Sequence, residues 1–395
     1  MDKKNLKLRL SEILTRGVAE VIERRSLENK LKSGRKLRIK HGIDPTGPNI
    51  HIGRAIQFWK LKKFQDMGHK IVFIIGDFTA QIGDASDKQA ARKPLTAAEV
   101  SKNMKSYSEQ IGKILDISKV ELRHNSEWLS ELSAKELVDL AMNFSAQQLI
   151  QRRNFKERWD RSKEIGLHEL LYPIFQGYDS VAVKADVEIG GTDQIFNFIA
   201  GRKIQEALGQ KPQDIITYKM LTGLDGRKMS TSWGNVIMIN DEPDEMFGKI
   251  MSMHDEQIME YFELCTDVDL DHVKKIKNPR DAKARLAFEI VKIYHGQAAA
   301  RQAAASFDKV FRNREVPDKM PEVSIADSEI NIIDLLSDKG LVSSKSEARR
   351  LVEQGGIEVK IKDKREKIKD INQMVEIGEG LVLKVGKRKF YQIKK

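Results

Sequence analysis

Hydrophobic and polar positions change period several times along this chain, and each change predicts an element. In LRIKHGI, Leu37 to Ile43, side-chain character alternates residue by residue, as in a strand with two unlike faces. DPTGPN follows, and its prolines and glycine predict a loop. HIGRAIQFWKLKKFQDMG then places Phe58, Leu61 and Phe64 near helical spacing with Gly68 as the stop, and IVFIIG is an unbroken apolar run suited to a buried parallel strand. Strand, loop, helix, strand is a βαβ unit, which predicts a doubly wound α/β domain at the front of the chain.

A long stretch of helical composition comes next, in LTAAEVSKNMKSYSEQIGKIL and SAKELVDLAMNFSAQQLIQRRNFKERW. The α/β pattern returns around DVEIGGTDQIFNFIAGRKIQEAL and IITYKML, and Glu242 to about Arg312 is helix-forming with heptad-like apolar spacing. NREVPDKMPEVSIADSE, Asn313 to Glu329, carries two prolines and seven charges and reads as a linker. The remainder predicts a small basic α+β unit.

Composition narrows the class. With 40% hydrophobic residues in 395 and a mean hydropathy of −0.47, the chain reads as a soluble, multi-domain globular protein. No apolar run approaches the roughly 20 residues that span a bilayer, and MDKKNLKLRL lacks the apolar core of a secretory signal, so a cytoplasmic location without membrane contact is expected. Cys265 is the only cysteine, which excludes an intramolecular disulfide and a multi-cysteine zinc site. The formal charge is +11, and Asn331 to Lys395 hold 16 basic against 10 acidic residues, so over half the excess sits in the tail and points to a polyanionic partner there.

Candidate chemistry clusters at the predicted loops. A βα loop that opens a helix is an anion site, because its first N–H groups lack intrahelical partners and the helix dipole is positive there. His51 stands at that point and can donate to a phosphate, while Gly53 allows a flat ring to approach the backbone. A second phosphate-type element is GLDGRKMSTSWGN, where Arg227, Lys228 and the hydroxyls of Ser230, Thr231 and Ser232 lie among three glycines. In LYPIFQGYDS, Tyr172, Gln176 and Asp179 fall on one helical face and can converge on a small ligand. Asp84 follows an apolar strand at the expected carboxyl edge, and GGTDQ, Gly190 to Gln194, offers an acidic residue to a ribose. Any one of these also fits a satisfied structural polar group; together they favour one shared site.

HIGR resembles the HIGH signature, and KMSTS the KMSKS signature, of class I aminoacyl-tRNA synthetases. GIDPTGPNIHIG, FQDMGHKIVFIIGDFTAQIGD, LHELLYPIFQGYDSVAVKADVEIGGTDQ and GLDGRKMSTSWGN resemble, in order, the bacterial tyrosyl-tRNA synthetase family. IDLLSDKGLVSSKSEARRLVEQGGIEV to LKVGKRKFYQI is similar to the RNA-binding domain shared with ribosomal protein S-four. The resemblance implies a Rossmann-like catalytic domain over 1–240 with a helical insertion at about 125–170, a helical anticodon-side domain over 241–312, a linker over 313–328 and an α+β RNA-binding tail over 329–395. It implies homodimers that activate tyrosine with ATP and magnesium, with no tightly bound protein-ligated metal, and charge tRNA(Tyr). By the same resemblance Asp179 meets the substrate hydroxyl, Tyr172, Gln176 and Asp84 hold its ammonium group, and Asn125 and Trp128 lie near that pocket. His51 and Thr46 contact the triphosphate. Gly42, Asp44 and Gly53 face the nucleotide, Gly191, Asp193 and Gln194 the ribose and substrate carboxylate, and Lys228, with Met229 and Ser230, the pyrophosphate. Lys345, Arg349, Arg350, Lys387 and Arg388 are the implied tRNA contacts.

Two departures stand out: the second histidine of HIGH is Arg54 and the second lysine of KMSKS is Thr231. Arg54 or Arg227 is expected to replace the lost cation. A further position, where another branch of the family carries a tyrosine that helps bind the hydroxyl, is Lys40, which shifts hydroxyl recognition towards Asp179. The alternatives are the tryptophan enzyme on the same scaffold and an RNA-binding protein that has lost catalysis.

Overall fold

The computed structural model describes residues 12–84, 95–311, 320–361, 364–386 and 389–395. They divide into two compact units, Met1–Ala300 and Arg301–Lys395. The first is built on a six-stranded sheet of β1 (Val18–Ile22), β2 (Arg38–Ile43), β3 (Lys70–Ile75), β4 (Val120–His124), β5 (Val187–Gly191) and β6 (Asp214–Tyr218). Their order is β1-β6-β5-β2-β3-β4, all parallel except β1, which runs antiparallel to β6. The chain winds outward from β2 to β3 and β4, then returns to the other side through β5 and β6. The reversal lies between β2 and β5, and α/β sheets bind ligands outside the strand carboxyl ends at such a point.

Strand β3, KIVFII, is buried from Ile71 onward because it is covered on both faces. Helix α1 (Ile52–Asp66) lays Phe58, Leu61 and Phe64 against one face, all fully buried, and the Phe58 and Phe73 rings meet edge to face at 5.4 Å. Gly68 takes φ 85°, a left-handed turn that suits glycine and reverses the chain into β3. The opposite face of the sheet corrects a simple reading of the LRIKHGI alternation, since its polar side is not solvated. Lys40 is 1% exposed, its Nζ 2.8 Å from Glu188 Oε1 and bonded to Ser180 Oγ and the Gln176 carbonyl. Helix α2 (Leu167–Ala182), packed on α3 (Ile195–Ala207), covers that face and supplies Gln176 and Ser180, while Glu188 comes from β5.

The helical stretches between β3 and β5 are several short helices rather than two long ones. Thr96, Ser133 and Ser145 each form a capping box with the residue three positions on, so the hydroxyl residues inside the helical pattern start new helices. Helix α4 (Ile258–Cys265) ends in the buried Cys265, whose thiol burial pushes towards the neutral form, consistent with a packing role. Among the described residues no helix is long and apolar enough to cross a membrane.

The second unit is a five-stranded sheet, order β10-β9-β12-β13-β7, of β7 (Glu322–Ser324), β9 (Ile357–Ile361), β10 (Lys364–Ile368), β12 (Leu381–Val385) and β13 (Lys389–Lys394); a two-stranded ribbon joins β8 (Glu329–Asn331) to β11 (Met374–Glu376). Helices α5 (Ile332–Asp338) and α6 (Lys345–Glu353) pack Leu335, Leu336, Ala348 and Val352 with Leu381 and Leu383 into its core. The expected linker over 313–328 is not linker throughout. Glu322 to Ser324 pair in parallel with Gln392 to Lys394, and Val323 joins this core, because a spare edge of β13 offers the charged segment backbone partners.

Candidate active site

Four strand ends and α2 deliver the pocket. Asp44 follows β2; its Oδ1 accepts from Thr79 Oγ1 at 2.8 Å and its Oδ2 from Tyr172 Oη at 3.0 Å. Gly76 stands where any Cβ would overlap Asp44 and Thr79, so a glycine is what lets these two meet. Burial raises the Asp44 carboxyl to about 6 against the two hydroxyl bonds that favour its charged form. Asn125, directly after β4, donates from Nδ2 to Thr79 Oγ1 at 3.0 Å and to Asp179 Oδ2 at 3.4 Å, and Trp128 Nε1 donates to Asp179 Oδ1 at 2.8 Å. One polar chain thus runs from Asp44 through Thr79 and Asn125 to Asp179. Asp179 is 4% exposed, and burial lifts its carboxyl to about 7 even with Lys40, Trp128 and Asn125 opposing.

A second chain runs along the other wall. Asn197 Nδ2 donates to Gln176 Oε1 at 2.8 Å and to Gln194 Oε1 at 2.9 Å, and Gln194 Nε2 donates to Asp84 Oδ2 at 2.8 Å. The two chains meet at α2, which carries Tyr172, Gln176 and Asp179 on one face as their spacing suggests. Asn125 and Trp128 are bonded to Asp179 on one side, and Asp84 and Gln194 are linked to Gln176 through Asn197 on the other. Thr79 and Asn197 were not singled out by sequence. Nothing periodic marks them: the side-chain partners of Thr79 lie 35 or more residues away, and Asn197 bonds Gln176 across 21 residues besides its neighbour Gln194.

The two phosphate-suited loops meet above the pocket. His51 is the N-cap residue of α1, Ile52 N donates to the Ile237 carbonyl at 2.9 Å, and Ile239 N donates to the Ile50 carbonyl at 3.0 Å. A Cβ on Gly53 would stand 3.1 Å from Met229 Sδ and 3.1 Å from His51 Nδ1, so HIGR and KMSTS are in van der Waals contact. Lys228 Nζ lies 3.8 Å from Asp193 Oδ2, which brings the segment after β5 into the same cluster. Burial, then Arg54 and Lys228, lower the His51 imidazole to about 3, so it is neutral at pH 7. Arg54 reaches back to Thr46 Oγ1 at 3.1 Å and the Asp44 carbonyl at 3.4 Å. Arg227 instead pairs with Asp225 at 2.5 Å and stacks over Trp233, half exposed. Of the two candidate replacement cations, Arg54 is the one built into the βα loop. Gly42 is the last residue but one of β2, two before Asp44, Gly191 ends β5 two before Asp193, and Ser230 and Thr231 lie on the loop with Thr231 exposed.

Asn235 holds that loop in shape. Its Nδ2 donates to Asp225 Oδ1 at 2.8 Å and to the Lys228 carbonyl at 3.0 Å, and its Oδ1 accepts from Ser230 N at 2.9 Å. A Cβ on Gly223 would overlap this amide. The loop is rooted on α4 and the turn before it, where Gln257 donates to Thr222 Oγ1 and the Gly223 carbonyl and Glu260 accepts from Thr222 N and Oγ1.

In sequence, residues 32–312 match the class I tRNA synthetases (W and Y), and residues 313–393 match the tyrosine–tRNA ligase SYY-like C-terminal domain. The tyrosine–tRNA ligase of Thermotoga maritima is 46% identical over 391 residues, 97% of this chain and 96% of that protein. That of Carboxydothermus hydrogenoformans is 45% identical over 401 residues, 97% of each. The chain belongs to the tyrosine–tRNA ligase family. A C-terminally truncated mitochondrial tyrosyl-tRNA synthetase from Aspergillus nidulans shares the fold with a TM-score of 0.64 over 77% of this chain and 94% of its own, at 21% identity. Among the described residues no cluster of three or more metal-binding side chains appears. In the family's tail, Arg349 and Arg350 are exposed on α6 and Lys345 pairs with Asp334 at 2.7 Å, whereas Lys387 and Arg388 lie outside the described residues.

Proposed function

We propose that this chain joins tyrosine to ATP, giving tyrosyl-adenylate and pyrophosphate, and then passes the tyrosyl group to the terminal adenosine of tRNA(Tyr). The observation that carries the reading is the close approach of Met229 to Gly53, next to His51, on the same unit as the buried carboxylates Asp44 and Asp179. The tyrosine carboxylate is ionised at neutral pH and needs no general base, so rate enhancement comes from positioning and from donors aimed at the α-phosphate and the departing pyrophosphate. Lys228 and Arg54 supply charge; neutral His51 and Thr46 supply hydrogen bonds; the N-terminus of α1 supplies dipole. Magnesium enters with ATP as part of the substrate. Gly42, Asp44, Gly191 and Asp193 receive the nucleoside side, and Met229, Ser230 and Thr231 carry Lys228 over the phosphates.

Asp179 accepts from the tyrosine hydroxyl, and Tyr172, Gln176 and Asp84 hold the ammonium group. A site built to bond a hydroxyl rejects phenylalanine by leaving buried polar groups unpaired, an argument for which tyrosyl-tRNA synthetase is itself the standing example. The tail grips tRNA through α6, the segment 241–311 faces the anticodon side, and the enzyme works in the cytoplasm as a homodimer, for which exposed Val138, Met142, Trp159 and Leu167 on the insertion offer apolar surface. The test is pyrophosphate exchange into ATP with tyrosine, tryptophan or phenylalanine as the only amino acid. Exchange with tyrosine alone is expected; exchange with tryptophan, or with none, would replace this reading by one of its alternatives.

A further inference from the structure

Arg152 is a buried cation that the reading above leaves without a task. It caps the short helix Arg153–Asp160, yet its side chain turns inward and is only 7% exposed. The guanidinium lies over the Phe196 ring at 4.8 Å and the Phe155 ring at 5.3 Å, and Nη2 stands 3.8 Å from Asp84 Oδ1. Its Nη1 is buried and has no hydrogen-bond acceptor. A guanidinium presents five N–H donors in a fixed fork, and burying one unmatched costs free energy that a fold does not normally carry without a return. Asp84, Gln194, Asn197 and Gln176 form one bonded chain, so this donor belongs to the wall assigned to the substrate's ammonium group.

We propose that Arg152 binds the α-carboxylate of the incoming amino acid; this deepens, and rests on, the tyrosine-activating reading. An α-amino acid carries its ammonium and carboxylate on one carbon, so an ammonium held at Asp84 brings the carboxylate within a few ångströms of the Arg152 fork. Without a cation there, a carboxylate would enter a pocket already holding Asp44, Asp84 and Asp179. Among the described residues, Lys40 is engaged with Glu188, Arg54 with Thr46, and Lys228 lies beside Asp193. Contact with two rings restrains the guanidinium, so a planar carboxylate meets it with little reorganisation. One carboxylate oxygen accepts from Arg152 while the other attacks phosphorus. Once that oxygen carries the adenylate, the negative charge is gone and the guanidinium relaxes onto Asp84. Arg152 therefore serves capture of the free amino acid more than the chemical step.

The experiment compares Arg152→Gln and Arg152→Lys with the parent full-length chain, measuring dissociation constants for tyrosine and for tyramine, which has the ammonium and phenol but no carboxylate. For Arg152→Gln, tyrosine binding should weaken by about 10- to 100-fold, the range of a charge-assisted hydrogen bond, while tyramine changes by less than about twofold. Arg152→Lys should recover part of the loss. In pyrophosphate exchange the loss should appear in the tyrosine KM and leave kcat nearly unchanged. Retained tyramine binding shows that the variant is folded. Equal weakening of both ligands would overturn the proposal in favour of Arg152 acting only on Asp84, and unchanged tyrosine affinity would overturn it outright. A parent chain that binds neither tyrosine nor tyramine would refute the activating reading, and the proposal with it; normal binding by parent and variants alike refutes the proposal alone.

Discussion

Asp179 concentrates the conflict between stability and specificity at a single side chain. Its ordinary carboxyl value is near 3.9, and burial raises it to about 7 in the folded protein. The folded state then keeps a proton that the unfolded chain has released, so the associated stability is full below about pH 4 and lost as pH rises through 7. Asp44, raised to about 6 by burial, adds in the same direction. Asp179→Asn removes the charge that burial opposes, so its thermal midpoint should exceed the parent's at pH 8, with the gap narrowing at pH 5. The same variant should lose most of its preference for tyrosine over phenylalanine, read as the ratio of their kcat/KM values. A midpoint below the parent's at both pH values would show that the Trp128 and Asn125 bonds outweigh desolvation. Asp179 itself was legible in the sequence because Tyr172, Gln176 and Asp179 share a helical face. Its donors were only half legible. Asn125 and Trp128 were placed near the pocket by resemblance, while Thr79, which links Asn125 to Asp44, is bonded across the sheet and leaves no periodic trace.

Among the elements, the loop from Gly223 to Asn235 shows what spacing can and cannot reveal. Its glycines and cations announced a phosphate-binding segment, but a mobile loop and a braced one look alike in sequence. The structure shows a braced one, with Gly226 at φ 79° in the turn and Asn235 bonding three segments of the loop to each other. Asn235 is 5% exposed and touches the backbone at Lys228 and Ser230, so it sets where the Lys228 side chain starts. Asn235→Ala should lower kcat for pyrophosphate exchange by about 10- to 100-fold, since it frees several buried bonds of roughly 1 kcal/mol each, and should leave the tyrosine dissociation constant unchanged, because the tyrosine pocket lies on other elements. A matching loss in tyrosine affinity would mean that the loop and the pocket are one cooperative piece. The βαβ unit at the front was legible for the opposite reason: β3 is apolar from Ile71 to Ile75, and Phe58, Leu61 and Phe64 of α1 recur near helical spacing before the Gly68 stop. Lys40 escaped because a lysine in an alternating strand reads as solvated until Glu188, 148 residues on, is brought beside it.

At the scale of the whole molecule, charge and chemistry are divided between the two compact units. Every catalytic candidate lies in the first, on or near the carboxyl ends of β2 to β6, while the second has its own closed core and a positive surplus. The positive surplus of the second unit suits a polyanionic partner. The unit's α+β class was legible, but the start of α6 was not read: Ser344 caps that helix, its side chain accepting from Glu347 N. The edge strand β7 was not legible either, because proline and charge there outweighed any strand signal and only pairing with β13 makes it a strand. Arg349 and Arg350 are exposed on α6, whereas Lys345 already shares its charge with Asp334. The two arginines should therefore carry more of the tRNA contact than Lys345. Arg349→Ala with Arg350→Ala should weaken tRNA(Tyr) binding and reduce the slope of log affinity against log salt by about 2, roughly one for each lost phosphate contact. Tyrosine-dependent pyrophosphate exchange should stay at the parent's rate. Lys345→Ala should change that slope by less, because removing it also frees Asp334 near the same surface. An equal loss of exchange and of tRNA binding in the double variant would mean that the tail supports the active site itself, and the division of labour between the units would have to be abandoned.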